Sequence, residues 1–209
     1  MELDAMLCRT GEIVVCHDER LHRLAGLDWE IAETPWWKLQ RADVGTRLGF
    51  GPARIPLLES VIEALPSHFL INIELKCTRV DDRGLSERVV ECVRAARVEG
   101  RAVISSFNFL CMVRAGQCGP GLRLGLLVDP ERNYFFQSAV LAPIVATHSI
   151  HLPFELCTSE RVGIWRERGL EVAAWTVDEP EVATGLQAMG VKYCITNRPA
   201  VLRQALESR

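Results

Sequence analysis

Apolar residues along this chain occur in two patterns, short runs and residues three or four positions apart. The two patterns alternate, which predicts strands followed by helices. Short apolar runs predict strands at 2–7, 13–17, 69–75, 102–107, 122–128, 149–152, 171–177 and 193–196. Between them, apolar residues three and four apart predict helices at 56–65, 85–99, 109–116, 159–168, 179–189 and 199–206. Strands that alternate with helices predict an α/β fold with a parallel sheet, and this many units favour a barrel.

Charged residues interrupt two of these apolar runs. Glu2 and Asp4 lie two positions apart, so a strand directs both side chains to one face, roughly 7 Å apart. Asn72, Glu74 and Lys76 likewise share one face of the strand at 69–75. Two carboxylates held side by side do not both stay ionised without a compensating cation, so the first pair indicates a hard divalent metal ion.

His17 follows the apolar run at 13–16, where a strand would deliver it to one rim of a sheet. Imidazole is the side chain whose ordinary pKa suits proton transfer near neutral pH. A strand that ends in Glu74 and Lys76 is typical of a barrel strand at its C-terminal mouth, where barrel enzymes carry their active sites. An acidic pair on an exposed strand is often only solvated, so the prediction of a site depends on both segments together.

Six segments, taken in order, resemble the glycerophosphodiester phosphodiesterase family. They are ELDxxLxxxGxxVVxHDExLxR from Glu2, IPLLE from Ile55, INIELK, ISSFN, WTV and ITNRP, and they extend from Glu2 to about Leu202. Each segment alone is weakly specific, and their common order makes the resemblance strong. It implies a TIM (β/α)8-type barrel that hydrolyses glycerophosphodiesters to glycerol 3-phosphate and an alcohol, in phospholipid and glycerol metabolism, with Mg²⁺ or Ca²⁺ as cofactor.

The resemblance also implies roles for seven residues. The metal ligands would be Glu2, Asp4 and Glu74. His17 would be the catalytic acid/base residue. Lys76, Phe107 and Trp175 would bind the phosphate or the rest of the substrate. For the two aromatic residues a second interpretation stays open, in which they are core side chains at strand ends. His151, in the strand at 149–152, is a further candidate for the mouth of the barrel.

The family's first strand ends in a His-Arg-Gly motif, followed by a helix with a Pro-Glu-Asn-Thr segment, and neither occurs in this sequence. We therefore expect 2–7 and 13–17 to occupy one barrel position, in an N-terminally incomplete barrel that lacks the first strand and helix. Its activity is expected to be reduced, and the alternative is an impaired relative that binds a phosphorylated ligand or a partner. Asn197 stands where the family usually has aspartate.

Residues 18–56 resemble the insertion that this family carries over the active-site mouth. The segment contains Trp29, Trp36 and Trp37, and only 35–39 has the pattern of a helical turn. Either its tryptophans pack locally or they shape access of the substrate. An exposed apolar rim within 24–54 would favour a third function, that of a phospholipase acting on intact lipid.

Composition narrows the class of protein further. The 209 residues suit a single domain, and a net charge of -3 without any basic run excludes bulk electrostatic binding to nucleic acid. No apolar stretch is long enough to span a bilayer, and the N-terminus is not a signal peptide. The 8 cysteines lack paired spacing, which predicts reduced thiols in a cytoplasmic protein. The expected partner is a small-molecule substrate, and a second copy of the chain could cover the open edge of the barrel.

Overall fold

The computed structural model of the chain describes residues 1–131, 145 and 148–207. The chain forms two compact units, Met1–Leu122 and Arg123–Arg209. Each unit contains four β-strands together with helices. The strand–helix alternation predicted from the sequence is present in both.

The strands of unit 1 are β1 Glu2–Leu7, β2 Ile13–Val15, β3 Ile71–Leu75 and β4 Ala102–Ser106. They lie in the order β2-β1-β3-β4. Strands β1, β3 and β4 are parallel to one another, and β2 is antiparallel to β1. Its helices are α1 His22–Ala25, α2 Trp36–Leu39, α3 Leu58–Ala64, α4 Leu85–Ala95 and α5 Phe109–Cys118.

Strands β1 and β2 form a hairpin. Ala5 lies opposite Val15 and Leu7 lies opposite Ile13, and Cys8 N–H closes the turn by donating to the Glu12 carbonyl at 3.1 Å. An antiparallel pair joined by a short turn cannot occupy two successive positions of a parallel barrel, because such positions need a crossover connection. The two N-terminal arms therefore belong together, as the sequence predicts.

Helix α4 shows how the apolar pattern becomes packing. Leu85, Val89 and Val93 lie on one face of the helix, and all three are buried. The helix ends at Ala95, four residues before the predicted end, because Arg97 adopts a left-handed backbone conformation with φ 55°. Gly100, just past the predicted end of the helix, lies in a 3₁₀ turn, Glu99–Arg101.

Residues 18–56 carry more structure than the sequence predicts. Besides α1 and the expected turn α2, they contain two 3₁₀ turns, Ile31–Glu33 and Thr46–Leu48. We call their packed interior the insertion core, which the insertion forms together with the β1–β2 hairpin. Its buried members are Met6, Cys8, Val14, Cys16, Leu21, Ile31, Leu39, Ala42 and Ile55.

The three tryptophans of the insertion divide into two groups. Trp29 and Trp36 are partly buried and pack against the insertion core. Trp37 is 56% exposed. Local packing therefore accounts for the first two, and the third needs another explanation.

Unit 2 holds four parallel strands in the order β5-β6-β7-β8. The strands are β5 Arg123–Leu127, β6 Ser149–Pro153, β7 Glu171–Trp175 and β8 Tyr193–Cys194, and the helices α6 Ser159–Glu167, α7 Pro180–Met189 and α8 Pro199–Glu207. Asn197, just after β8, donates from its backbone N–H and its Nδ2 to the Asp178 carboxylate at 2.8 and 3.0 Å. The Asn197 side chain therefore donates a hydrogen bond to Asp178, which follows the adjacent strand β7.

Helices in the described part of the chain are short. The longest is α4, with 11 residues. None of them is long and apolar enough to cross a membrane.

The insertion core should contribute measurably to stability. Leu39 is 0% exposed, so Leu39→Ala leaves a cavity and should lower the free energy of unfolding by about 2–5 kcal/mol. Leu48, in the same insertion, is 39% exposed, and Leu48→Ala should change it by no more than about 0.5 kcal/mol. Urea denaturation followed by circular dichroism measures both, and equal losses would show that the insertion has no buried core of its own.

Candidate active site

The register of three parallel strands brings polar side chains to one face of unit 1. Asp4 of β1 is in register with Glu74 of β3, which is in register with Ser105 of β4. Two residues closer to the strand N-termini, on the same face, Glu2 is in register with Asn72. Since side chains at registered positions of parallel strands point to the same face, these five residues share a surface.

Three of these residues form an acidic cluster. One carboxylate oxygen each from Glu2, Asp4 and Glu74 can be chosen so that all lie within 4.8 Å of one another. Glu74 is 6% exposed, and the other two are half-buried. The structure therefore brings together the three carboxylates that the sequence singles out.

Lys76 is the cation closest to this cluster in the described structure of unit 1. Its Nζ lies 2.7 Å from Glu74 Oε1 and 3.2 Å from Asp4 Oδ1. Burial lowers the pKa of Lys76, but the two carboxylates outweigh that effect and raise it, so the ammonium stays charged. Lys76 and the N-terminal ammonium of Met1, which acts on Glu2, are two positive groups against three carboxylates, so an excess of negative charge remains.

The excess charge shows in the acid–base properties of the cluster. Burial, followed by repulsion from Asp4 and Glu74, raises the pKa of Glu2 to about 7. Burial also raises the pKa of Glu74, against the opposing effect of the hydrogen bond from Lys76. Without a further cation, Glu2 is therefore only partly ionised near neutral pH.

Asn72 and Ser105, next to the acidic cluster, have polar side-chain atoms that form no hydrogen bond within the described structure. Both side-chain amide atoms of Asn72 and the hydroxyl of Ser105 are buried, and none has a hydrogen-bond partner among the described residues. Buried polar groups are nearly always satisfied, so these atoms indicate room for an additional group. Carboxylate and amide oxygens are ligands that Mg²⁺ and Ca²⁺ prefer, and the residues of the cluster therefore fit a hydrated divalent cation.

Ser105 belongs to the ISSFN segment of the family resemblance, but the sequence assigns no role to it, and Asn72 is marked only by its position on the polar face of a strand. The feature that links them to the acidic cluster is the register between β1, β3 and β4, which joins positions about 30 and 70 residues apart. A single sequence does not reveal that register.

His17 lies two residues beyond the end of β2, and its side chain is 70% exposed. Its Nδ1 lies 2.9 Å from Asp18 Oδ1, and Arg23 holds Asp18 through two contacts of 2.8 Å each. Positive charge on His17 lowers the pKa of Glu74, although burial is the larger influence. The imidazole is therefore oriented by a carboxylate and lies within electrostatic reach of the acidic cluster.

The space next to Lys76 is bordered by the insertion. A cavity of about 160 Å³ is lined by Lys76, by the loop that follows β3, and by Glu30, Ile31 and Ala32 of the insertion. On the other side of Lys76, the ring centroid of Phe107 lies 5.9 Å from Nζ. Phe107 is thus beside the ammonium.

Trp175 and His151 belong to unit 2. Trp175 ends β7 and donates from Nε1 to the His151 carbonyl at 3.3 Å. His151 is 4% exposed, its Nε2 lies 2.9 Å from Ser149 Oγ, and burial lowers its pKa to about 4. A neutral imidazole of this kind does not donate a proton near pH 7.

The raised pKa of Glu2 predicts how the stability of the cation-free protein depends on pH. The folded chain holds a proton on Glu2 up to about pH 7, whereas the unfolded chain releases it near the ordinary glutamate pKa of 4.5. The stability linked to this group is fully present below pH 4.5 and is lost as pH rises through about 7.

Glu2→Gln removes this dependence. In EDTA at pH 8 the variant should be more stable than the wild-type chain, on the order of a few kcal/mol, and near pH 4 the two should converge. Urea denaturation across this range gives the comparison, with Glu59→Gln on the exposed face of α3 as the control. A difference that grows as pH falls would contradict the assigned environment of Glu2.

Comparison with known proteins identifies the family of this chain. Residues 1–201 match the model of the Glycerophosphoryl diester phosphodiesterase family. The chain is 29% identical over 210 residues to a glycerophosphodiester phosphodiesterase of Caldanaerobacter subterraneus subsp. tengcongensis, covering 97% of this chain and 83% of that protein.

Two crystal structures show the same fold. One is a phosphodiesterase of Oleispira antarctica in complex with the product sn-glycerol-3-phosphate. It matches this chain with a TM-score of 0.83 at 24% identity, and the match covers 99% of this chain and 84% of the Oleispira antarctica chain. A glycerophosphodiester phosphodiesterase of Parabacteroides distasonis has a TM-score of 0.83 at 19% identity and covers 100% and 83%. These likenesses confirm the predicted TIM-type α/β fold class. The chain belongs to the glycerophosphoryl diester phosphodiesterase family.

Proposed function

We propose that this chain hydrolyses glycerophosphodiesters to glycerol 3-phosphate and an alcohol, with Mg²⁺ or Ca²⁺ held by Glu2, Asp4 and Glu74. The observation that carries the proposal is the convergence of three carboxylates beside Lys76 in a chain of this family. The glycerol 3-phosphate bound to the Oleispira antarctica relative supports a small-molecule substrate of this class.

The chemistry of the substrate explains why such a site needs cations. A phosphodiester is anionic, and charge gathers on its nonbridging oxygens during attack at phosphorus. A divalent cation, when bound, polarises a phosphoryl oxygen and offsets this charge. Lys76 adds a second positive group, and its ammonium can exchange a carboxylate contact for a phosphate oxygen.

We assign proton transfer to His17. The net reaction adds water across one P–O bond, and the alkoxide that leaves must take up a proton. An imidazolium can supply it, and Asp18, 2.9 Å from Nδ1, orients the ring. The exposure of His17 gives its other nitrogen access to a substrate.

From the family resemblance we propose that Phe107, in unit 1, and Trp175, in unit 2, each line the path of the substrate. The position of Phe107 beside Lys76 supports its assignment. For Trp175 the support is its place at the C-terminal end of a barrel strand. We further propose that the insertion at 18–56 covers the mouth, which the cavity between Lys76 and Glu30 supports.

Two variants with matched controls test the assignment. Glu74→Gln removes a cation ligand and should abolish turnover that depends on Mg²⁺ or Ca²⁺. His17→Ala should lower kcat by about 10²- to 10⁴-fold, the usual effect of a positioned acid or base. Glu59→Gln and His22→Ala, at exposed positions of the same unit, should retain wild-type rates. The assay is release of glycerol 3-phosphate from glycerophosphocholine with either metal present.

The same assay separates hydrolysis from the alternative of an impaired binding protein. Saturable binding of glycerol 3-phosphate without any turnover by the wild-type chain would favour binding alone. Turnover that survives EDTA, or that Glu74→Gln leaves unchanged, would contradict the metal-dependent mechanism. Coverage of the barrel edge by a second copy and a cytoplasmic location stay predictions from the sequence.

A further inference from the structure

One part of the insertion presents large apolar side chains to solvent. We call residues 36–54 the aromatic–basic segment. Within it, Trp37 is 56% exposed, Leu48 39% and Phe50 85%. Most aromatic side chains bury their surface, so such exposure on an ordered segment often marks an interaction site.

Hydrogen bonds hold the loop that carries Phe50. The Asp43 carboxylate accepts from the backbone N–H groups of Gly45, Thr46 and Ala53 at 3.1, 3.1 and 3.2 Å, and from the Thr46 hydroxyl at 2.7 Å. These bonds hold the pKa of Asp43 well below its usual range. Phe50 N–H in turn donates to the Gly45 carbonyl at 3.1 Å. The exposed ring is therefore presented by a fixed backbone.

Close packing at the base of the loop adds to this constraint. A Cβ on Gly45 would lie 2.3 Å from the Gly51 carbonyl oxygen and 2.7 Å from Ala53 Cβ. Only glycine allows the two sides of the loop to approach so closely. The tip at Leu48–Phe50 is thus held in place from both sides.

The same segment concentrates positive charge. It contains four basic residues and one acidic residue, Asp43, whereas the whole chain has a net charge of -3. The basic residues are Lys38, Arg41, Arg47 and Arg54, and none of them lies within 4.0 Å of a carboxylate among the described residues.

Two contacts attach these cations to the rest of the insertion. Lys38 Nζ lies 4.1 Å from the ring centroid of Trp29, and the Arg54 guanidinium donates to the Arg41 carbonyl just after α2. The second contact joins the loop to the helical turn that carries Trp37. Exposed rings and unpaired cations therefore belong to one connected piece of structure.

We propose that the aromatic–basic segment binds the surface of an anionic phospholipid bilayer. Aromatic side chains favour the membrane–water interface, and nearby cations are attracted to anionic head groups. A protruding ring flanked by unpaired cations fits a bilayer surface, which accepts apolar groups between charged head groups. This inference goes beyond the proposed hydrolysis and does not depend on it.

Vesicle co-sedimentation of the full chain tests the proposal. At low salt the chain should bind vesicles of phosphatidylcholine with 30% phosphatidylglycerol ~10-fold or more tightly than vesicles of phosphatidylcholine alone. Arg47→Glu with Arg54→Glu should weaken this binding by at least about 10-fold, since each cation near an anionic surface contributes roughly fivefold. Phe50→Ser should weaken it by about 10-fold through loss of apolar burial.

Matched controls separate this surface from general effects. Arg166→Glu with Arg168→Glu, on exposed positions at the end of α6, makes the same change in net charge. Leu70→Ser removes an apolar side chain that is 49% exposed at the start of β3. Both should keep wild-type binding, and circular dichroism should show that all variants keep the wild-type fold.

Several results would overturn the proposal. One is equal binding to both kinds of vesicle, and another is binding that the control variants weaken as much as the test variants. Retention on heparin that depends on the arginines but not on Phe50 would assign the surface to a soluble polyanion. A concentration-dependent dimer lost in Phe50→Ser, without vesicle binding, would assign it to a second copy of the chain.

Discussion

Electrostatic repulsion among three carboxylates on one face of β1 and β3 is the constraint on which this site depends. Asp4 and Glu74 are registered neighbours, and Glu2 lies one step away on the same face. Backbone hydrogen bonding fixes the registered positions, so the three carboxylates can move apart only by changing side-chain rotamers. The repulsion must then be offset by Lys76, by protonation of Glu2, or by a bound cation.

This constraint links stability to function. Burying like charges opposes folding, and natural active sites often retain such an arrangement because the chemistry requires it. In the proposed function, a bound divalent cation would offset the same repulsion. Lys76 contributes to both states, since it pairs with the carboxylates in the cation-free chain and can turn toward a phosphate.

The sequence predicted the local part of this arrangement and not the long-range part. Alternation within a strand placed Glu2 beside Asp4 and Glu74 beside Lys76. The pairing of β1 with β3 came from the family resemblance, because a strand pattern does not specify its neighbour. Ser105 escaped notice because its role follows only from its register with Glu74. The early end of α4 depends on the backbone conformation of one arginine, which helix periodicity does not encode.

The insertion shows the same limit. The sequence left open whether its tryptophans pack locally or shape access of the substrate. Only the structure separates Trp29 and Trp36, which pack against the insertion core, from the exposed Trp37. From composition alone, the loop around Asp43 is predicted to be irregular. In the structure, backbone N–H groups that donate to the Asp43 carboxylate hold it in place. One face of the insertion thus stabilises the β1–β2 hairpin, while the other is free to contact a partner.

Calorimetric titration with CaCl₂ and with MgCl₂, after treatment with EDTA, tests the central claim most directly. The account predicts saturable binding of one cation per chain by the wild type, and its loss in Glu74→Gln while Glu59→Gln binds normally. Absence of saturable binding, or binding that Glu74→Gln leaves unchanged, would contradict the assignment of the acidic cluster as the metal site.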